Sequence, residues 1–310
     1  MKKKALLILS FFFIATFANA IVIAPVSAQR PQPLDKYIKR PSWRPYGGTA
    51  HIPNFADIGT LNPFMASSDW DLYIVDSIYD ALVIMTPDGE YMGRLARDWE
   101  VSEDGLTWTF YLYENATWHD GEPVTAEDCK FTFDTGLGLM LGRFHDLADC
   151  INNTEAVGDY TFVINLNYPF APLLYLLGRT LAPIHIVPKH IWKDVEDPAT
   201  FSNMDNPIGS GCYIYLERKA GMYIRIKANE EYHLGRPFLD EIILPVITSA
   251  DAMFLAFKTG DIDCMAWNIP YATAEEMKKE ADPAIIFDER PESGGRYLIF
   301  QCERYPMNET

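Results

Sequence analysis

One stretch limits what this chain can fold into more than any other: LARDWEVSEDGLTWTFYLYENATWHDGEPVTAEDCKFTF, residues 95–133. Trp99 to Val101, Asp104-Gly105 and Thr107 to Tyr113 spell strand, tight turn, strand, because Asp-Gly supplies the positive φ that a hairpin turn needs. In the second strand Trp108, Phe110 and Leu112 alternate with Thr109, Tyr111 and Tyr113, a period of two that buries one face. A polar break at His119-Asp120-Gly121-Glu122-Pro123 follows. Thr125 with Asp128 then forms a capping box that starts a helix through Cys129, Phe131 and Phe133. Hairpin, turn and capped helix predict a folded unit of mixed α and β structure. They name no chemistry.

At 310 residues the chain is long enough for two domains with sizeable cores. Its 43 acidic and 26 basic residues give a formal charge of −17, which argues against nucleic acid, since phosphate binding needs clustered Lys and Arg. Mutual repulsion that favours solubility is one reading of this charge; a preference for cationic ligands is the other. At the N-terminus Lys2-Lys3-Lys4 precede an apolar run from Ala5 to Ala18, with small residues at Ala18-Asn19-Ala20 and Val26-Ser27-Ala28. That pattern predicts an export signal over residues 1–28, with an uncleaved membrane anchor as the rival reading. No Cys follows the apolar run, so an acylated lipoprotein is not expected. The five cysteines, at 129, 150, 212, 264 and 302, form no C-x-x-C pair. Their spacing does not suggest zinc, and an odd count leaves at least one thiol unpaired. Buried free thiols are expected, with Cys129–Cys150 as the one disulfide worth considering.

Along the chain, Ala50 to Ile58 predicts a short strand and loop. Ser68 with Asp71 predicts a second capping box, followed by Leu72, Val75, Ile78, Tyr79 and Leu82 at helical spacing. Aromatic residues on that helix are read first as core. Gly136 to Asn153 predicts a loop with a short helix, Tyr160 to Asn167 a strand, and Pro169 to Leu177 another short helix. Pro188 suits a first helical position. Two strands, Tyr213 to Glu217 and Met222 to Lys227, flank a Lys-Ala-Gly turn, and Ile242 to Ile247 predicts a buried strand. Ser249 and Gly260 bracket a further helix. The Gly209-Ser210-Gly211 run permits close backbone passage, but it lacks the Lys-Ser/Thr and following helix of a phosphate loop.

The order L-A-x-x-W-x-x-S-x-D-G-x-x-W-x-F-x-L, then E-N-A-x-W-x-D-G-x-P-V-T-A-x-D, resembles the signature of family 5 extracellular solute-binding proteins, the oligopeptide- and dipeptide-binding group. Further motifs resemble that family in the same order: Pro207-Ile208-Gly209-Ser210-Gly211-Cys212-Tyr213, where Cys212 stands in place of the usual Pro, Asn229 to Pro237, Gly260 to Asp263, and Tyr297 to Gln301. The resemblance implies an α/β fold of mixed α and β content, a periplasmic-binding-protein-like type II lobe with an inserted accessory subdomain. It implies a main lobe from residues 29–68 and 181–302, an accessory insertion over 69–180, and an opposing lobe that begins at 303–310 and lies largely outside this sequence. By the same resemblance, Asp57, Ile58 and Gly59 would lie beside a bound solute, with Trp267 and Asn268 on a cleft-lining stretch and Gln301 on the strand that crosses between lobes. A solvated turn carboxylate for Asp57 and a core tryptophan for Trp267 are the plain alternatives.

The function this implies is the extracellular solute-binding component of an ABC importer. A short peptide would be held in an apolar and aromatic cleft and passed to membrane permease subunits. Oligosaccharide or another small solute is the alternative within the family. No cofactor, no metal and no nucleic acid is expected, and the protein would be an exported monomer. A secreted hydrolase is the reading from another class, but the sequence holds no G-x-S-x-G, no H-E-x-x-H and no Cys-His pair in recognisable context. A remnant without a transport role is a third.

Overall fold

The computed structural model describes residues 46–86, 89–179 and 182–265, together with 275 and 277–279. The chain divides into two compact units, Met1–Ala266 and Trp267–Thr310, and every strand and helix named below lies in the first. Two hydrophobic cores organise that unit.

The first core belongs to the stretch that dominates the sequence. β1 (Thr49–His51) precedes it; β4 (Ala96–Val101) and β5 (Thr107–Leu112) form the expected hairpin around Gly105, whose φ is 71°. β5 buries Trp108, Phe110 and Leu112 and turns Thr107, Thr109 and Tyr111 outward, so the period of two holds. β6 (Ile151–Ala156) and β7 (Thr161–Leu166) complete an antiparallel sheet of order β4-β5-β7-β6. α2 (Ala126–Gly138) packs on it, and Phe133 meets Phe162 of β7 at a ring separation of 5.1 Å. The Thr125–Asp128 capping box is formed. Asp128 also accepts from the Lys189 N–H at 2.8 Å, which ties α2 to α4 (Lys189–Trp192).

The second core lies under a mixed sheet of order β1-β10-β9-β8, built from β8 (Tyr213–Lys219), β9 (Tyr223–Ala228) and β10 (Glu241–Pro245). β1 runs parallel to β10 and the other pairs are antiparallel. α1 (Asp69–Ile78) buries Leu72, Ile74, Val75 and Ile78 against this sheet. α5 (Ala250–Thr259) is capped by the Ser249 hydroxyl and ends at Gly260, φ 79°. Beyond it Asp263 exchanges bonds with His51 of β1, accepting from its N–H and donating to its carbonyl.

Three expectations need correction. The helix that starts at Ser68 stops at Ile78 rather than running to Leu82. Leu82 enters the first core, and β2 (Val83–Met85) pairs with β3 (Tyr91–Gly93). The stop is physical: the Gly211 N–H donates to the Ile78 carbonyl, and the Asp80 side chain is drawn into a buried ion pair. The Ser68–Asp71 pair is not a capping box, because Asp71 turns away to the backbone of Gly59. The loop at Gly136 to Asn153 instead holds the end of α2, a 3-10 turn at Gly142–Asp146 and the start of β6. Cys129 and Cys150 are both free and buried, as the default reading expected, and the disulfide considered beside it is not formed. Cys212 and Cys264 are free as well.

α1 belongs to the sheet core with Ile58 and Leu61, whereas Ile184, Ile186, Val187 and Trp192 belong to the core of the insertion.

Candidate functional site

The loop between β1 and α1 starts from residues that cannot continue a strand, with Pro53, Gly59 and Pro63 among them. Its shape is set by two carboxylates. Asp57 receives both arms of the Arg218 guanidinium, Nε at 2.9 Å and Nη2 at 2.6 Å, and the Gly221 N–H at 2.7 Å. Its own next residue, Ile58, donates a backbone N–H to it at 2.9 Å. This bidentate geometry is the strong form of the interaction, and the Arg218 bonds, ahead of all other causes, hold the Asp57 carboxyl below its ordinary value. Asp71, on the first turn of α1, accepts from the Gly59 N–H at 2.8 Å. Burial raises the Asp71 pKa, with the Gly59 and Thr60 backbone bonds opposing. The loop is thus pinned from the β8–β9 turn on one side and from α1 on the other.

The three expected residues here have different fates. Asp57 has both oxygens occupied by protein donors. Ile58 is 3% exposed and forms part of the sheet core. Gly59 is exposed, beside the first turn of α1. Trp267, Asn268 and Gln301 lie outside the described residues.

What the loop and α1 present outward is aromatic. Phe55 stacks on Trp70 with ring centroids 5.9 Å apart, and Trp70 meets Tyr73 edge-on at 6.1 Å. Phe55 and Trp70 are half-buried, and Tyr73 is 43% exposed. Sequence reasoning read helix aromatics as core and passed over these two. The signal was available, because Leu72, Val75 and Ile78 already fill the buried face and residues 70, 73 and 77 lie off it.

Just past the C-terminal end of α1 lies a buried polar node, between residues of the two cores. Asp80, whose side chain is wholly buried, pairs with Arg94 Nε at 3.0 Å and accepts from the Tyr232 hydroxyl at 3.1 Å. Burial opposes the charge on Arg94, but Tyr232 and Asp80 more than offset it and keep its pKa above the usual arginine value. Burial raises Tyr232 well above the ordinary tyrosine range, and pushes the neighbouring Cys212 up to about 11. Next to this node His119 holds the glycine run through three bonds. Its ring Nε2 lies 3.0 Å from the Gly211 carbonyl, its Nδ1 accepts from the Gly209 N–H, and its own N–H donates to the Gly209 carbonyl at 2.8 Å. Only the neutral ring with its proton on Nε2 makes all three. Burial lowers the His119 pKa to match. Among the described residues no group of three or more His, Cys, Asp or Glu side chains could hold a metal.

A mixed sheet with an antiparallel sheet inserted between β1 and β8, and an outward aromatic face on α1, is the architectural class that the described residues show. Comparison with known proteins makes that class specific. Residues 90–310 match the family described as bacterial extracellular solute-binding proteins, family 5 middle. The chain belongs to the family 5 extracellular solute-binding proteins. A Brucella ovis protein assigned as an ABC transporter peptide-binding protein is 32% identical over 209 residues, covering 66% of this chain and 38% of its own length. The oligopeptide-binding protein AppA of Bacillus subtilis, solved with a nonapeptide, superposes with a TM-score of 0.69 at 26% identity, over 76% of this chain and 47% of AppA. MoaA of A. tumefaciens R10, solved with mannopinic acid, gives a TM-score of 0.75 at 27% identity, over 86% of this chain and 53% of MoaA. The fold is therefore the periplasmic-binding-protein type II fold in mixed α/β form, and the chain spans about half the length of these relatives. The family consists of periplasmic and extracellular solute-binding proteins. Among the described residues no helix is long and apolar enough to cross a membrane.

Proposed function

We propose that this chain is part of the solute-binding component of an ABC importer, which captures a short peptide in a cleft and delivers it to membrane permease subunits. The observation that carries this reading is the likeness to AppA in its nonapeptide complex, joined to a family match over most of the chain. The lobe acts by binding and closing around solute, without turnover, as an exported monomer whose residues 1–28 serve as the signal. Its main lobe comprises the sheet core and its accessory domain the insertion core, with the chain passing between them near Asp80 and again near Asn203. Gly59 and the outward face of α1 are the proposed solute-facing residues of the described lobe, and Trp267, Asn268 and Gln301 are proposed solute contacts on the family resemblance alone. The likeness to MoaA in complex with mannopinic acid supports a second reading, a small non-peptide solute held in the same cleft.

Native mass spectrometry of the purified protein separates these readings. A co-purified mass of two to a few amino acids is the expected result. A sugar-acid mass favours the second reading, and turnover of peptides or glycosides by the pure protein contradicts both.

A further inference from the structure

The stretch between Arg44 and Arg94 contains no Lys or Arg at all, yet it carries Asp57, Asp69, Asp71, Asp76, Asp80, Asp88 and Glu90. Most of these charges have partners. Asp57 is bound by Arg218 and Asp80 by Arg94, Asp71 accepts the Gly59 N–H, and Asp76 lies 2.7 Å from His185 Nε2. Asp69 is exposed and has no ion-pair partner among the described residues. It sits on the first turn of α1, four residues before Tyr73, so both project from one helix face. Trp70 lies against Tyr73, and Phe55 against Trp70.

The N-terminus of a helix would by itself attract anions. Here that tendency is already answered, because Ser68 accepts the Trp70 N–H and two carboxylates occupy the first turn. Burial first, and then Asp69 and Asp76, raise the Tyr73 phenol, so it stays neutral and presents a π face. An aromatic face with an adjacent carboxylate attracts a cation and repels an anion.

Building on the solute-binding reading, we propose that the Asp69–Trp70–Tyr73 face takes a cationic side chain of the solute, the ammonium of a lysine or the guanidinium of an arginine carried by a peptide. The ammonium lies over the Tyr73 and Trp70 rings with Asp69 as its counter-ion. Arg218, the cation bonded to the loop before α1, is taken up by Asp57, and Arg179 lies 4.0 Å from Asp146.

Isothermal titration of the full chain with Ala-Lys-Ala, Ala-Ala-Ala and Ala-Glu-Ala tests this, with spermidine as a free-amine arm. The expected result is that Ala-Lys-Ala binds about tenfold tighter than Ala-Ala-Ala, that Ala-Glu-Ala binds weakest, and that added salt narrows the gap. Asp69→Asn and Tyr73→Leu should each shrink the gap between Ala-Lys-Ala and Ala-Ala-Ala, and an unchanged circular dichroism spectrum and Tm without ligand show that the variants fold. Tyr73→Phe, which keeps the ring, should preserve it. Equal binding of the three peptides overturns the cationic site and leaves the solute-binding reading standing. Binding of spermidine but of no peptide supports the cationic site and contradicts the peptide. Binding of none of them overturns both.

Discussion

Asp57 shows how a single residue can be assigned a plausible role from sequence and be engaged in another. In the sequence it is a carboxylate in a turn, equally fit to face solvent or a ligand amine. In the fold it is the anchor of the loop, because Arg218, 161 positions away, closes on it with two bonds. No local pattern announces a partner at that separation. Replacing it by Asn removes a charge-assisted pair and is expected to cost about 2 kcal/mol at neutral pH, read by chemical denaturation. The folded pKa lies below the ordinary value of 3.8, so the contribution is present above that pH and is lost as the pH falls through the folded value. The wild type and Asp57→Asn curves should therefore converge in acid. His119 carries the opposite charge logic with the same sign. Burial holds its pKa below 6.5, so the unfolded chain takes up a proton first as the pH falls. Stability should drop below about pH 6.5, and His119→Gln should flatten that part of the profile.

At the scale of elements, helix caps and hairpin turns were legible because they are local. Asp104-Gly105, the Thr125–Asp128 box and the Ser249 to Gly260 helix all stand where their residues put them. The short strands β2, β3 and β6 were not legible: β2 and β3 are three residues each, and β6 (INNTEA) lacks the alternation that marks the six-residue strands β5 and β7. The end of α1 was misread for a different reason. Leu82 continues the helical spacing, but tertiary contacts at Ile78 and Asp80 override it. Gly209 and Gly211 are the cause that can be tested. A Cβ at Gly211 would press on the backbone of Ser77 and Ile78, and one at Gly209 on Ile78. Gly211→Ala should therefore destabilise by about 1–3 kcal/mol through overpacking rather than backbone strain. Gly158→Ala offers a contrast: nothing crowds its Cβ, and only its φ of 67° opposes the change.

At the scale of the whole molecule, the buried node of Asp80, Arg94 and Tyr232 lies between residues of the two cores. A pair of this kind is weak evidence for net stability, but removing one partner leaves a buried charge uncompensated. Arg94→Ala is expected to lose about 3–5 kcal/mol, seen as a lowered Tm. Arg94→Met in combination with Asp80→Leu, which removes both charges, should recover much of that loss. Family membership was readable in the sequence because its motifs sit at the turns and caps that shape the lobe, such as Trp118-His119-Asp120-Gly121 meeting Gly209-Ser210-Gly211. The outward aromatic face of α1 was less readable, because aromatic residues on an amphipathic helix look alike until the buried face has been assigned.

Solute binding is the central claim, and a thermal-shift titration of the purified protein with di- to pentapeptides tests it most directly. Binding to the folded state alone should stabilise it by about 2.7 kcal/mol at a hundredfold excess over Kd, so Tm should climb with ligand concentration. A Tm that stays constant across the whole peptide series, at concentrations up to solubility, would contradict the account.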